Sequence, residues 1–387
     1  MTAPAFLSRG FRPFFLGAAA FAALGMADWL TVYLLHLEVE LEGVTIFQWH
    51  AHEMVFGYAM AVAAGFLLTA AWNWTGKRTA DGAWLAVLFL LWAAARIFMA
   101  SGTGMLLYAA VADLSFMIGL AISVGRPIVA AGQIMRQGPI LLMLCILTLA
   151  NGVFYLGAGG WLLEGARFGV YGGLYLMLGM VLFMGRRVIP FFTQRGVDYE
   201  IRLRNESWVD VSLFAIYPLF MVSEIFRPYH LAGAILAGML LFLNSRRLMG
   251  WHTLGIWQKP LLWGLFASFI MINLGFLLRA MMPITAIPDF LPVHGYALGG
   301  IGIVTLSMMS RVTLGHTGRD VHQPPKLVAP ILICIISAAF IRIFLPLADP
   351  VNYPVWVAVA GIIWIISFLL FTIAFAPMLL RKRVDAE

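Results

Sequence analysis

Twelve apolar runs, most of them long enough to cross a bilayer as a helix, constrain this chain more than any other feature. A helix needs about 20 apolar residues to span roughly 30 Å of hydrocarbon. The runs fall at 11–35, 48–73, 83–100, 103–124, 138–157, 165–185, 207–226, 228–244, 260–282, 292–313, 327–346 and 353–378. They predict an all-α polytopic membrane protein with about 12 transmembrane helices, forming a single transmembrane domain over 1–387 with no soluble domain. Arg227-Pro228 is the only break in the hairpin 207–244. The first run follows Arg9 and Arg12 and is too long for a signal-peptide core, so it reads as an uncleaved anchor.

Composition excludes the common soluble classes. The chain is 62% hydrophobic and 11% charged, against about 45–50% and about 25% in ordinary soluble domains. The net charge of +7 is scattered between apolar runs, so it bears on orientation in lipid and not on a nucleic-acid partner. With the N-terminus inside, all but five of the 25 Lys and Arg residues fall in cytoplasmic segments; the five are Arg96, Arg167, Arg227, Arg279 and Arg342. That pattern predicts both termini in the cytoplasm. The two cysteines, Cys145 and Cys334, lie far apart inside apolar runs, which argues against a disulfide framework or a cysteine zinc site.

Neutral imidazole is the commonest metal ligand. The expected topology puts His36, His50, His52, His230 and His294 toward the outside and His252, His316 and His322 toward the cytoplasm. His50-Ala51-His52-Glu53-Met54 opens the second run. Helix positions two apart point about 200° apart, so His50 and His52 do not share a ligand face. His50 lines up with Glu53 and Met54. With His36 or His230 it offers a mixed metal site suited to copper. The plainer alternative is a pair of interfacial residues hydrogen-bonded beside Trp49.

His294 opens the tenth run, which is parallel to the second. Laid over each other without a gap, the two runs match His52 to His294, Gly57 to Gly299 and Thr75-Gly76 to Thr317-Gly318. Two imidazoles at one depth on parallel helices form the arrangement needed to clamp a haem iron from both sides. The alternative for His294 is a capped helix start after Pro292.

Asp28, Arg96, Asp113, Glu224, Arg279 and Arg342 lie within runs. A charge at depth costs about 2.5–3.5 kcal/mol on insertion scales, so each must pair or face a cavity. Arg96, Arg279 and Arg342 fall toward the outer ends, which suits haem propionates; pairing with the three acids is the alternative. The cytoplasmic side carries Arg12-Pro13-Phe14-Phe15, Arg186 and Arg187 in Gly185–Thr193, Trp251-His252, and Arg311, His316 and Arg319 in Ser310–Arg319. Such a patch suits an anionic headgroup or a quinone, or plain snorkelling anchorage.

These stretches resemble the NnrS family of bacterial inner-membrane proteins. The resemblance rests on Arg12–Phe15, Trp49–Gly57, Gly65–Ala70 with Asn73–Gly76, Gly185–Thr193 and Ser310–Arg319. It implies a twelve-span protein containing haem and copper, linked to nitric oxide metabolism and nitrosative-stress tolerance. One departure is Phe266, after Pro260-Leu261-Leu262-Trp263, where family members often carry a histidine. A looser resemblance is to the catalytic subunit of haem–copper oxidases and nitric oxide reductases. Those have low-spin haem ligands near the outer ends of helices 2 and 10, where His52 and His294 stand. Arg342 looks like a propionate arginine of that group. Runs 6 and 7 carry no histidine here, whereas those enzymes hold their second metal there.

The leading expectation is therefore a membrane protein with haem b, and copper besides, that binds nitric oxide, reduces it with electrons from a quinol or donor protein, or passes electrons. Two axial imidazoles would mean electron transfer, and one would mean gas binding or reduction. The alternatives are a twelve-helix secondary transporter and a metal-binding sensor or assembly factor.

Overall fold

Hydrocarbon offers no partner to a backbone N–H or C=O, so a spanning segment must satisfy its own, and the helix does this within one stretch of chain. The computed structural model describes residues 4–226 and 230–384. The break at Arg227-Pro228 lies outside the described residues. Among those residues there is no strand, and twelve helices are long and apolar enough to cross a membrane. They are α1 (Phe11–Leu35), α2 (Ile46–Thr75), α3 (Gly82–Ala100), α4 (Leu106–Ala130), α5 (Ile134–Ala158), α6 (Gly165–Gly196), α7 (Ser207–Phe226), α8 (His230–Trp251), α9 (Pro260–Ile284), α10 (Phe290–His316), α11 (Val328–Ala348) and α12 (Tyr353–Leu380).

The helices stop at chemical signals and not where apolarity fades. Thr45 caps α2 by accepting from the Gln48 N–H, while the Gln48 side chain accepts from the Thr45 N–H in a reciprocal cap. Gly76 ends it at φ 67°, a left-handed conformation that glycine adopts without strain. The same logic corrects the expected end of α6. The apolar run stops near 185, yet the helix continues to Gly196 with Pro190 inside it. The motif Gly185–Thr193 is therefore helical and not a connecting loop. At about 1.5 Å per residue, such a helix is about 48 Å long and outreaches the hydrocarbon.

Every fourth span is unlike the rest. The most apolar window is 83% buried in α2, 78% in α6 and 83% in α10, against 33–61% elsewhere. Two of these three also leave α-helical geometry, at Glu53–Ala59 in α2 and at Gly295–Gly302 in α10, where the turns are π-helical. Each π stretch begins directly after the matched histidine, His52 or His294. A weak sequence likeness thus coincides with a shared backbone irregularity of a kind common at functional sites.

Packing divides the chain into two compact units. The first comprises Met1–Leu176, Val312–Arg319 and Phe368–Glu387. Within it α2 packs on α1 and α4, and α4 packs on α3 and α5. Phe14 lies 5.8 Å from Phe89 and 5.6 Å from Phe116 between ring centroids. Arg12 is buried and donates to the carbonyls of Met378 (3.3 Å), Leu379 (2.9 Å) and Arg381 (2.5 Å). These belong to the end of α12, whose last carbonyls have no partner within the helix. Arg12 thus caps a helix C-terminus, with the sign the helix dipole favours.

The second unit comprises Met177–Arg311 and Asp320–Ser367. There α8 packs on α7 and α9, and α9 packs on α10 and α11. α9 and α10 approach closely at two glycines: a Cβ on Gly295 would lie 2.9 Å from the Gly275 Cα.

Replacing Arg12 with alanine removes a cation from the end of α12 and leaves carbonyls without donors. We expect Arg12→Ala to cost about 2 kcal/mol, read as a lowered Tm of the detergent-purified protein. An unchanged Tm would contradict the capping role.

Candidate functional site

Four helices of the first unit bring six polar side chains into one buried node. α2 supplies His52 and Glu53, α3 supplies Arg96, α4 supplies Asp113, and α5 supplies Asn151 and Tyr155. All are buried. Arg96 Nη1 donates to Glu53 Oε1 at 2.8 Å, and Arg96 Nη2 lies 2.6 Å from Asp113 Oδ2. Asn151 Nδ2 and Tyr155 Oη each donate to Asp113 Oδ2 at 3.0 Å. The His52 ring lies against the face of Phe154, with centroids 4.0 Å apart.

The partners assign the hydrogens on His52. Asn151 gives its amide N–H to Asp113, so its Oδ1 faces His52 Nε2 at 2.9 Å, and Nε2 carries a hydrogen. Nδ1 lies 2.9 Å from Glu53 Oε1. Both ring nitrogens are thus engaged. Two carboxylates face one guanidinium here, which offsets part of their charge. The offset matters because uncompensated charge in hydrocarbon is costly.

Gly57 makes room for this node. A Cβ there would lie 2.9 Å from Arg96 Nη1 and 2.6 Å from Phe21 Cε1. Its carbonyl, inside the π stretch, accepts from Trp92 Nε1 at 2.9 Å.

His50 points away from His52, as two positions on a helix must. Its ring stacks on Trp29 at 4.4 Å, and Trp29 stacks on Tyr33 at 5.0 Å. Glu53 directs Oε1 to His52 and Arg96. His36 ends α1 at φ 51° and is exposed. His230 is exposed, and its carbonyl accepts from Arg279 Nη2 at 3.1 Å. Among the described residues, no group of three or more His, Cys, Asp or Glu side chains is arranged to hold a metal ion. The mixed copper set is not assembled here.

His294, in the second unit, is arranged differently from His52. Its Nδ1 lies 2.7 Å from the Phe290 carbonyl oxygen. That contact needs the hydrogen on Nδ1, which puts the ring lone pair on Nε2, the tautomer seen when histidine ligates a metal through Nε2. The three arginines read as propionate partners also part company. Arg96 is bound to Glu53 and Asp113. Arg279 Nε donates to Glu224 Oε1 at 2.8 Å. Arg342 donates to the Tyr353 hydroxyl at 2.9 Å and lies over the rings of Phe290 (5.0 Å) and Tyr353 (5.3 Å).

The residues expected on the cytoplasmic side separate as well. Arg186 and Arg247 share Asp210, at 2.6 and 2.7 Å. Arg187 is exposed. His252 accepts from Trp257 Nε1 at 3.1 Å, and its ring lies 5.6 Å from that of Phe266. The position of the departing family histidine therefore adjoins another histidine. His316 lies 3.3 Å from Asn73 Nδ2, and Arg319 donates to the Thr317 carbonyl at 3.4 Å. Arg311 lies over the Phe192 ring at 4.0 Å.

Sequence reasoning missed Asn151, Tyr155 and Asp210. Asn151 and Tyr155 are four apart and so share a helix face. That polar pair inside an apolar run was the available signal.

Toward a haem iron, the His294 tautomer has its ring lone pair on Nε2, whereas both ring nitrogens of His52 are held, by Asn151 and Glu53. The family model described as NnrS protein matches residues 5–383. No curated protein gives a significant match.

Arg96→Ala leaves two buried carboxylates without their cation. The expected loss is about 3–5 kcal/mol, measured as a lowered Tm or a collapse of the monodisperse gel-filtration peak in detergent. Wild-type stability in that variant would show that the ion pairs do not hold α2, α3 and α4 together.

Proposed function

Because the chain belongs to the NnrS family, whose members are membrane proteins linked to the nitric oxide response, we propose that it is a b-type haem protein that uses His294 as its one protein ligand and binds nitric oxide. The observation that carries this reading is the double engagement of His52. A pair of axial imidazoles would close both faces of a haem and favour electron transfer. With Nε2 of His52 donating to Asn151, only His294 of the matched pair has the tautomer of a ligand.

The Phe290 carbonyl fixes the His294 ring and raises its basicity through Nδ1–H. Arg342 is our candidate partner for a propionate, since it stands beside Phe290, whose carbonyl holds His294. His294 would hold the haem, which would supply the iron that takes up nitric oxide. The buried node of the first unit is taken up with its own ion pairs and hydrogen bonds, which tie its helices together. We assign copper to no residue of this chain, because the described residues bring no donor set together. The setting we propose is a bacterial inner membrane.

The test is an optical spectrum of the purified protein, reduced with dithionite and then exposed to nitric oxide. We expect a Soret band that shifts with nitric oxide, lost in His294→Ala and kept in His52→Ala. Two results would overturn the reading: a six-coordinate spectrum indifferent to nitric oxide, or loss of haem from folded His52→Ala protein. Colourless folded protein, expressed with ample haem, would turn the reading toward transport.

A further inference from the structure

Arg311 stands apart from the other buried arginines of the second unit. Its side chain is 7% exposed. Arg247 and Arg279 each reach a carboxylate, Asp210 or Glu224. Arg311 makes no hydrogen bond or ion pair with any described residue, and its guanidinium rests on the Phe192 ring face, 4.0 Å from the centroid. A desolvated cation–π contact is worth about 2 kcal/mol. None of the Arg311 nitrogens is among the fully buried polar atoms left without a partner, so the N–H edge of the guanidinium meets open space while its face is covered by the ring. Guanidinium is a rigid fork of five donors matched to oxyanions.

A cleft opens beside it, lined by Gly196, Lys259, Pro260, Arg311, Val321 and His322 among others, with no acidic side chain in the lining. Its volume, as room for the centre of a water-sized sphere, is about 10 Å³. That is room for about one water or one oxyanion oxygen. Lys259 stands at the start of α9, with its ammonium 2.9 Å from Asp198, whose carboxylate is exposed. His322 receives a backbone contact from Asp320, its N–H donating to Oδ1 at 2.8 Å. Three basic residues on three different stretches of chain thus line one narrow opening.

We propose that this cleft binds a phosphate group, with one oxygen on the Arg311 guanidinium and the others toward Lys259 and His322 at the mouth. The start of α9 and the late part of α10 lie at the same expected edge of the bilayer. A phospholipid headgroup and free phosphate are therefore the two sources of that chemistry.

The full-length protein in detergent is heated with inorganic phosphate, or with short-chain phosphatidylglycerol, against chloride at equal ionic strength. At least one ligand is expected to raise the Tm. Arg311→Gln and Lys259→Gln should each weaken the apparent affinity about tenfold or more. A response to inorganic phosphate identifies a soluble-phosphate site, and a response to phosphatidylglycerol alone identifies a headgroup site. No Tm change with either ligand in folded wild type overturns the proposal, and so does an undiminished response in the variants. If Arg311→Gln does not fold, Lys259→Gln, which alters an exposed ion pair, decides the question.

Discussion

The lack of any hydrogen-bond partner in hydrocarbon governs this molecule from its backbone to its charged side chains. Among the described residues the backbone answers by becoming helix over twelve spans. Where a helix ends, its last carbonyls must find donors, and at the end of α12 a buried arginine from the start of α1 provides them. Inside the spans the same rule collects opposite charges. Glu53, Arg96 and Asp113 have one another, Arg279 has Glu224, and Arg247 has Asp210. Such pairs add little net stability over apolar packing, but losing one member strands the other in a medium that cannot solvate it.

Against that background, the π stretches in α2 and α10 carry weight. Each widens the helix immediately after a histidine, and each needs small residues nearby. Gly57 admits the Arg96 guanidinium, and Gly295 lets α10 approach Gly275. The two histidines nonetheless end in different chemistry. His52 is enclosed in a polar network with both nitrogens occupied. The Nδ1 of His294 is held by its own helix, a turn back at Phe290. Equivalent positions in sequence register thus acquire different roles from the residues that neighbouring helices supply.

Much of the fold was legible in the sequence, because hydrophobic length is a one-dimensional property. All twelve spans follow from apolar runs, and the helix caps at Thr45 and Gly76 follow from local turn chemistry. The length of α6 did not, since helical geometry persists beyond the apolar run as long as no residue breaks it. At the candidate site, the divergence of His50 from His52 follows from helical period alone. The commitment of Arg96 to Asp113 and Glu53 does not. A charge in a span announces that it needs a partner without naming one.

The sequence by itself determined the helical class, the number of spans and the set of residues too polar for lipid. Those depend on the composition and spacing of one chain segment at a time. Only the tertiary structure decided which polar groups meet. It placed Asn151 against His52, two arginines on Asp210 and the ring of Phe192 under Arg311. The reason is physical: a hydrogen bond or ion pair is settled within about 3 Å, and helices distant in sequence reach that range only through side-chain packing along their whole length.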